Sequence, residues 1–354
     1  MIMQQVIILG AGLSGLTTAY ELKKMGIRPV VLEARGRYGG RIWTLEGEGR
    51  ATPLEMGATW FGEKHQHLMG MLLELGVGYF DQYSQGKALL ESMSFAPPQH
   101  FDLSASEEPY HRVLGGSRSL IEALVSRIGK ENIRLNTPIQ EVREQKEGLK
   151  LTAVDGSEYQ ARLVVSTLPP RLLVKTVRFS PALPKKLVKL MGQTHTWMSE
   201  SVKFAVEYER PFWREHGFAG TAFSQAGPAT EIYDHTNFDG TAFALKGFLS
   251  PGTAQLKEDD RREMVLRQLV KLFGLEAANF LSYIDWVWAN EVYTHQPYDS
   301  YILPHQNSGH PDFALPLMNG KLFLSGTETS PEFGGYMDGA VLSGLLAADR
   351  VALL

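Results

Sequence analysis

The sequence predicts a doubly wound α/β unit on a parallel sheet, with an α+β unit on a mostly antiparallel sheet interleaved through it. Three observations carry this prediction. Residues 6–25 run from an apolar strand through a glycine turn into a helix, residues 324–340 form a second glycine-rich run, and residues 184–290 between them alternate as strands do. A glycine fingerprint at one end signals a dinucleotide; a matching run at the other implies one ligand held by both ends of the chain.

Residues 6–9 are all apolar, as a strand buried on both faces of a parallel sheet requires, and 13–25 keep helical spacing up to Gly26. Gly10 allows the tight turn, Gly12 lets backbone approach a pyrophosphate, and Gly15 lets helix close on strand. Leu13 and Ser14 open the helix, whose free N–H groups then face the phosphates. A second strand at 29–32 delivers Glu33 about 20 residues after the turn, where a carboxylate accepts both ribose hydroxyls. Ala34 and Arg35 follow, and the loop ends in Gly40 and Arg41, so that arginines alternate with glycines beside the predicted pyrophosphate.

The unit continues through 54–62 and an apolar helix at 68–75 stopped by Gly76. Residues 82–110 lack periodicity, contain Pro97 and Pro98, and read as a connection or an abbreviated excursion. Gly115, Gly116 and Ser117 cap a helix at 120–128, followed by strands at 133–135, 139–143 and 149–154 and a return through 161–167. Val202, Phe204, Val206 and Tyr208 alternate with Lys203, Ala205, Glu207 and Glu209, the pattern of a strand with one covered face. Further strands are expected at 219–223, 232–235, 241–249 and 280–288, with a helix at 259–273. Arg261 and Arg262 read as solvated surface. His65 and His67 have no carboxylate or third ligand nearby in sequence, so no metal site is expected.

Bulk properties narrow the class. The net charge of -4 over 354 residues gives no electrostatic case for nucleic acid. The first residues form the fingerprint strand, and no apolar run approaches the roughly 20 residues of a membrane span, so a soluble, cytoplasmic protein is expected. Zero cysteines exclude disulfides, thiolate metal sites and any cysteinyl link to a cofactor.

These motifs together resemble the flavin-containing amine oxidase superfamily, which includes monoamine oxidases, polyamine oxidases and L-amino-acid oxidases. The resemblance covers nearly the whole chain. It rests on Gly10–Gly15 with Glu33, on Gly40-Arg41, on Gly57-Ala58-Thr59-Trp60, on Leu135 to Ile139, on Lys203 before Pro211-Phe212-Trp213, and on Gly326-Thr327-Glu328 and Gly335-Tyr336-Met337. It implies a Rossmann-like FAD-binding domain (1–78, 112–190 and 291–354) and an α+β substrate domain (79–111 and 191–290).

The resemblance further implies residue roles. Ile139 meets adenine through its backbone, Gly326 and Glu328 lie near pyrophosphate and ribitol, and Gly335, Tyr336 and Met337 line the flavin ring with Trp288 beside it. Lys203 matches the lysine linked through water to flavin N5, while Tyr298 and Tyr336 match the aromatic pair that flanks the amine. The implied reaction takes an amine to an imine and reduces O2 to H2O2.

Two departures stand out. Pro297 occupies the position of the cysteine that binds flavin covalently in monoamine oxidases, so the FAD is expected to be non-covalent. The long helical segment normally found before the Gly115-Gly116 motif is replaced by 82–110 alone. The site is therefore open, shaped for a larger or tethered amine, or closed by a partner protein. Two alternatives remain at this level: a C–C desaturase or protoporphyrinogen-oxidase-like enzyme, against which Lys203, Tyr298 and Tyr336 argue jointly, and a flavin-binding protein with little turnover.

Overall fold

The computed structural model describes residues 3–45, 52–103 and 108–354, and two large sheets organise it. The eight-stranded sheet has a parallel centre in which Gln4–Leu9 lies between Pro29–Leu32 and Glu158–Ser166, with Ile133–Arg134 and Leu322–Leu324 also parallel. Gly148–Ala153 and Ile139–Gln145 extend it as an antiparallel pair. Val6, Ile7 and Ile8 are fully buried, because helices cover one face and the hydrophobic cluster around Val142 and Leu151 the other.

The two glycine-rich ends meet on this sheet. Helix Leu13–Lys24 packs along the last helix, Met337–Ala352. Gly344 makes the approach possible, since a Cβ there would stand 2.7 Å from Ser14 O and from Thr17 Cβ. Ser14 Oγ lies 2.9 Å from both Ser325 Oγ and Ser343 Oγ, and Thr18 Oγ1 donates to Gly344 O. Gly15 has an equally direct reason: its Cβ would fall 2.0 Å from Gly10 O.

The second sheet has seven strands. One face packs on helix Glu258–Phe273 through Val202, Phe204 and Val206, and the other meets Leu54 and Met56 through Ala205 and Ala244. Strand Val202–Tyr208 is consequently buried at every position, which corrects the expectation of one covered face. The charged side of the alternation faces the first unit instead of water.

One other reading is narrowed and one expectation is corrected. Of the two readings of 82–110 the excursion fits: Lys87–Glu91 and Gln99–Asp102 form a hairpin that joins the second sheet, with Lys87–Glu91 parallel to Phe218–Ser224. Residues 104–107 of that stretch lie outside the described residues. Arg261 is buried and bidentate to Asp285 at 2.8 and 2.7 Å, whereas Arg262 makes an exposed pair with Asp259. Ser117 precedes its helix as expected, yet its Oγ donates to Ala58 O and its N–H donates to the Glu55 carboxylate. Among the described residues no helix is long and apolar enough to cross a membrane.

Candidate active site

At the nucleotide end, Glu33 is buried and already oriented. Its Oε2 accepts from Ala11 N at 2.7 Å and its Oε1 from Arg35 N at 2.8 Å, which fixes the carboxylate beside the glycine turn. Gly12 N-caps the first helix without a side-chain partner, and its Cβ direction meets only Gly39 and Gly40 backbone near 4 Å. Residues 134–137 run alongside: Glu33 N donates to Arg134 O and Thr137 N to Glu33 O, which carries half-buried Ile139 to the same end. A cavity of about 610 Å³ opens here, lined by Ala34, Arg35, Arg37, Trp43, Trp286 and Asn136 among others. Arg37 Nη2 and Trp286 Nε1 are buried there without partners.

Arg35 and Arg41 are committed to carboxylates. Arg35 pairs with Glu291 at 2.8 Å and donates to Thr294 Oγ1, while Arg41 is bidentate to Glu328 at 2.5 and 2.9 Å. Glu328 is fully buried, so Arg41 supplies the charge that makes its burial tolerable. This pair ties the first glycine-rich end to the last across 287 positions.

At the far end of the same axis, Gly326, with φ 108°, donates its N–H to Ser14 Oγ, and Thr327 Oγ1 accepts from Gly335 N. Gly335 has φ 94° and faces Trp197, whose Cβ would lie 2.7 Å from an added methyl. Tyr336 N-caps the last helix, is 42% exposed, and stacks on His305 at 5.5 Å and on His65 at 5.8 Å. Met337 follows, buried. Asp338 in the first turn accepts from Leu68 N and lies 3.1 Å from His67 Nδ1, a carboxylate partner that the sequence reading denied to His67. Chain separation of 271 positions hid it. No group of three or more potential metal ligands forms among the described residues.

Tyr298 is placed differently from Tyr336. It stacks on His195 at 5.8 Å, lies under Arg171 at 4.8 Å, and accepts from Thr196 N through its hydroxyl. The two tyrosines are linked through His195 and Trp197, since Trp197 touches both His195 and Tyr336.

Lys203 is fully enclosed, and its Nζ donates to Gly57 O at 2.5 Å. Burial lowers it from 10.5 to about 8, while Glu55 favours its charged form. Trp288, also buried, donates its Nε1 to Met56 O. Residues 56–60 therefore gather the second sheet against the first unit: Gly57 meets Lys203, Thr59 Oγ1 accepts from Lys246, and Trp60 packs on Tyr233 at 4.9 Å and Phe248 at 6.2 Å. Ala58 holds Ser117 through its carbonyl.

Tyr233, Phe248, Glu231 and Lys246 were not singled out from sequence. They share one face of the sheet with Lys203, since Lys203 pairs with Phe248, Phe248 with Glu231, and Lys246 with Tyr233. The period-two pattern places them together only once the pairing register is known.

The site now has a glycine cradle, an oriented acid, two helix N-termini without side-chain caps and a buried lysine. The family pattern described as flavin containing amine oxidoreductase matches residues 13–90 and 77–352. The chain belongs to that family. It is an FAD-dependent amine oxidase, and the desaturase and low-turnover alternatives are not favoured.

The oxidase is 24% identical to a probable flavin-containing monoamine oxidase A of Dictyostelium discoideum, over 98% of this chain and 97% of that one. It is 26% identical to a putrescine oxidase of Kocuria rosea, over 98% and 95%. Among solved structures, a putrescine oxidase bound to putrescine has a TM-score of 0.86 at 23% identity, covering 99% of both chains. A cyclohexylamine oxidase from Brevibacterium oxydans has 0.87 at 20% and the same coverage, so the fold is shared. The first of these sequence alignments spans 450 positions against 354 residues here, and the two stretches of the family match overlap at 77–90, at the start of the 82–110 segment that the sequence reads as shortened.

FAD fits the residues present. Glu33 keeps lone pairs for ribose hydroxyls, and among the described residues Arg37 Nη2, Trp286 Nε1 and His65 Nε2, the last beside Tyr336, are buried with no partner. Each is a donor or acceptor that a dinucleotide can satisfy.

Proposed function

We propose that the oxidase acts on a primary amine at an open site between its two sheets, with residues 1–78, 112–190 and 291–354 holding FAD and the remainder forming the substrate domain. The observation that carries this reading is Lys203, buried on the sheet and donating to Gly57 O in the segment the family places at the flavin. Bound FAD supplies the acceptor for the α-carbon hydrogen and passes electrons to O2. Gly10, Gly12, Leu13, Ser14, Gly15 and Glu33 would hold its AMP half, and Glu328, Gly335, Tyr336 and Met337 the flavin half.

In this reading Lys203 holds a proton at Nζ below about pH 8 and stabilises negative charge developing on oxygen. Tyr336 and Tyr298 offer aromatic faces to the substrate nitrogen. Exposure of Tyr336 supports an open site, closed by a partner protein or left to larger amines. A cytoplasmic location belongs to the same proposal, tested by cell fractionation. Replacing Lys203 by Met is expected to slow reoxidation of the reduced enzyme by O2 at least tenfold in rapid mixing; an unchanged rate removes the role of Lys203.

One observation favours a substrate with a second cationic group. Glu231 lies on the aromatic face with Tyr233 donating to it at 2.9 Å, two strands from Lys203, or about 10 Å. A carboxylate among aromatic rings suits the far ammonium of a diamine. Glu231→Gln is expected to raise KM for 1,4-diaminobutane about tenfold and leave butylamine within about twofold; equal effects on both exclude this subsite.

A further inference from the structure

A second cavity, of about 440 Å³, lies where the short sheet of Trp60–Phe61, His111–Val113 and Tyr79–Asp81 meets residues 235–239, and the proposed reaction makes no use of it. Trp60, Arg112 and Phe80 pair in register across the three strands, so their side chains share one face. Trp60 ends that row against Tyr233 and Phe248 on the proposed substrate face. Arg112 and Phe80 line the cavity, one and two strands further along, or about 5 and 10 Å.

Arg112 is 6% exposed and has no counter-ion beside it: among the described residues no carboxylate forms an ion pair with it. Its Nη1 donates to His235 Nδ1 at 2.7 Å and its Nη2 to Thr236 O. An arginine only donates, so His235 Nδ1 accepts, and Nε2 carries the ring proton toward Pro53 O at 3.1 Å. His235 is therefore a neutral partner. The carboxylates whose fields reach Arg112 are occupied elsewhere: Asp234 holds Arg214 and Trp213, and Glu55 holds Thr44 Oγ1 and Ser117 N. Burial lowers Arg112 to about 10, which leaves it charged at neutral pH. A guanidinium buried without a counter-ion is destabilising. Two donors are also left over beside this cavity, since Arg112 Nε and Thr236 Oγ1 are buried with no partner. The Phe80 ring, 4.6 Å from Arg112 Cζ, covers the guanidinium without supplying an oxygen acceptor.

We infer that this cavity binds a small organic carboxylate, held by Arg112 Nε and Thr236 Oγ1, at a site separate from that of the amine. One positive charge and two free donors match a monoanion with two acceptor oxygens. A phosphate brings more charge and more acceptors than these groups satisfy. Phe80, Val113, Leu114 and Phe238 offer apolar surface for the body of the acid, and the volume is that of a small-ligand pocket. Asp239, the other acid of the lining besides Glu55, is exposed to water, which screens it.

The test titrates the flavin-loaded protein with benzoate by calorimetry, with benzamide as the uncharged control. Saturable binding of benzoate is expected, with benzamide about tenfold weaker or more. Arg112→Gln and Thr236→Val are each expected to weaken benzoate about tenfold, and Lys203→Met to leave it within about twofold. Thr236→Val removes only the partnerless hydroxyl, so it decides the matter if Arg112→Gln does not retain FAD. Benzoate is expected to leave KM for an oxidised amine unchanged, because the two ligands occupy different sites. Three results overturn the inference: no binding of benzoate to the wild type, binding kept in Thr236→Val but lost in Lys203→Met, or a KM that rises in proportion to benzoate.

Discussion

Lys203 illustrates a residue kept at the expense of stability. Its folded value of about 8 lies below the 10.5 of an unfolded lysine, so the folded state binds fewer protons between those two pH values. Stability from this residue therefore rises as pH goes from about 8 to 10.5, and below pH 8 its burial costs about 3 kcal/mol. Lys203→Met removes that penalty but leaves Gly57 O without its donor, worth about 1–3 kcal/mol. The flavin-loaded variant is expected to melt at or above the wild-type temperature at pH 7, with any advantage gone by pH 10.5. A variant melting well below wild type at pH 7 would show that the charge is better solvated than its burial indicates. Oxygen reactivity of the wild type is expected to fall through pH 8, as the ammonium is lost.

At the scale of elements, the pairing of the first and last helices brings the two glycine-rich ends together. Gly344→Val places branched carbon against Ser14 O and Thr17, and is expected to destabilise by about 1–3 kcal/mol and lower bound flavin. Gly192→Ala is the control, since its added methyl meets nothing within 4 Å and improves a helix residue by up to about 1 kcal/mol. A urea midpoint and the flavin-to-protein absorbance ratio measure both; a neutral Gly344→Val contradicts the packing account. The strands and helices around the fingerprint were legible because their patterns are local. The hairpin Lys87–Glu91 and Gln99–Asp102 was not, because its second strand is an exposed edge with no clean alternation. The buried state of Lys203 was equally hidden, since its cover comes from 146 positions away, and Arg261 depends on Asp285 in another element.

For the whole molecule, the family reaction is retained on a shorter chain. The nucleotide end, the Arg41–Glu328 tie and the Lys203 face are all present, while close to a hundred aligned positions of longer relatives have no counterpart. With no cysteine in the chain, the FAD carries no cysteinyl bond. Tyr336 is partly exposed, and the aromatic row from Phe101 through Phe223 and Tyr233 to Trp60 runs out to an edge strand, as the proposed open site requires. Amines too bulky for an enclosed cavity are therefore expected among its substrates. The most direct measurement is anaerobic titration of the purified flavoprotein with primary amines, diamines, amino acids and bulky ring amines, followed by flavin absorbance. The account predicts bleaching by at least one primary amine and restoration of the oxidised spectrum, with H2O2, when air is admitted. A spectrum that no amine bleaches would contradict it.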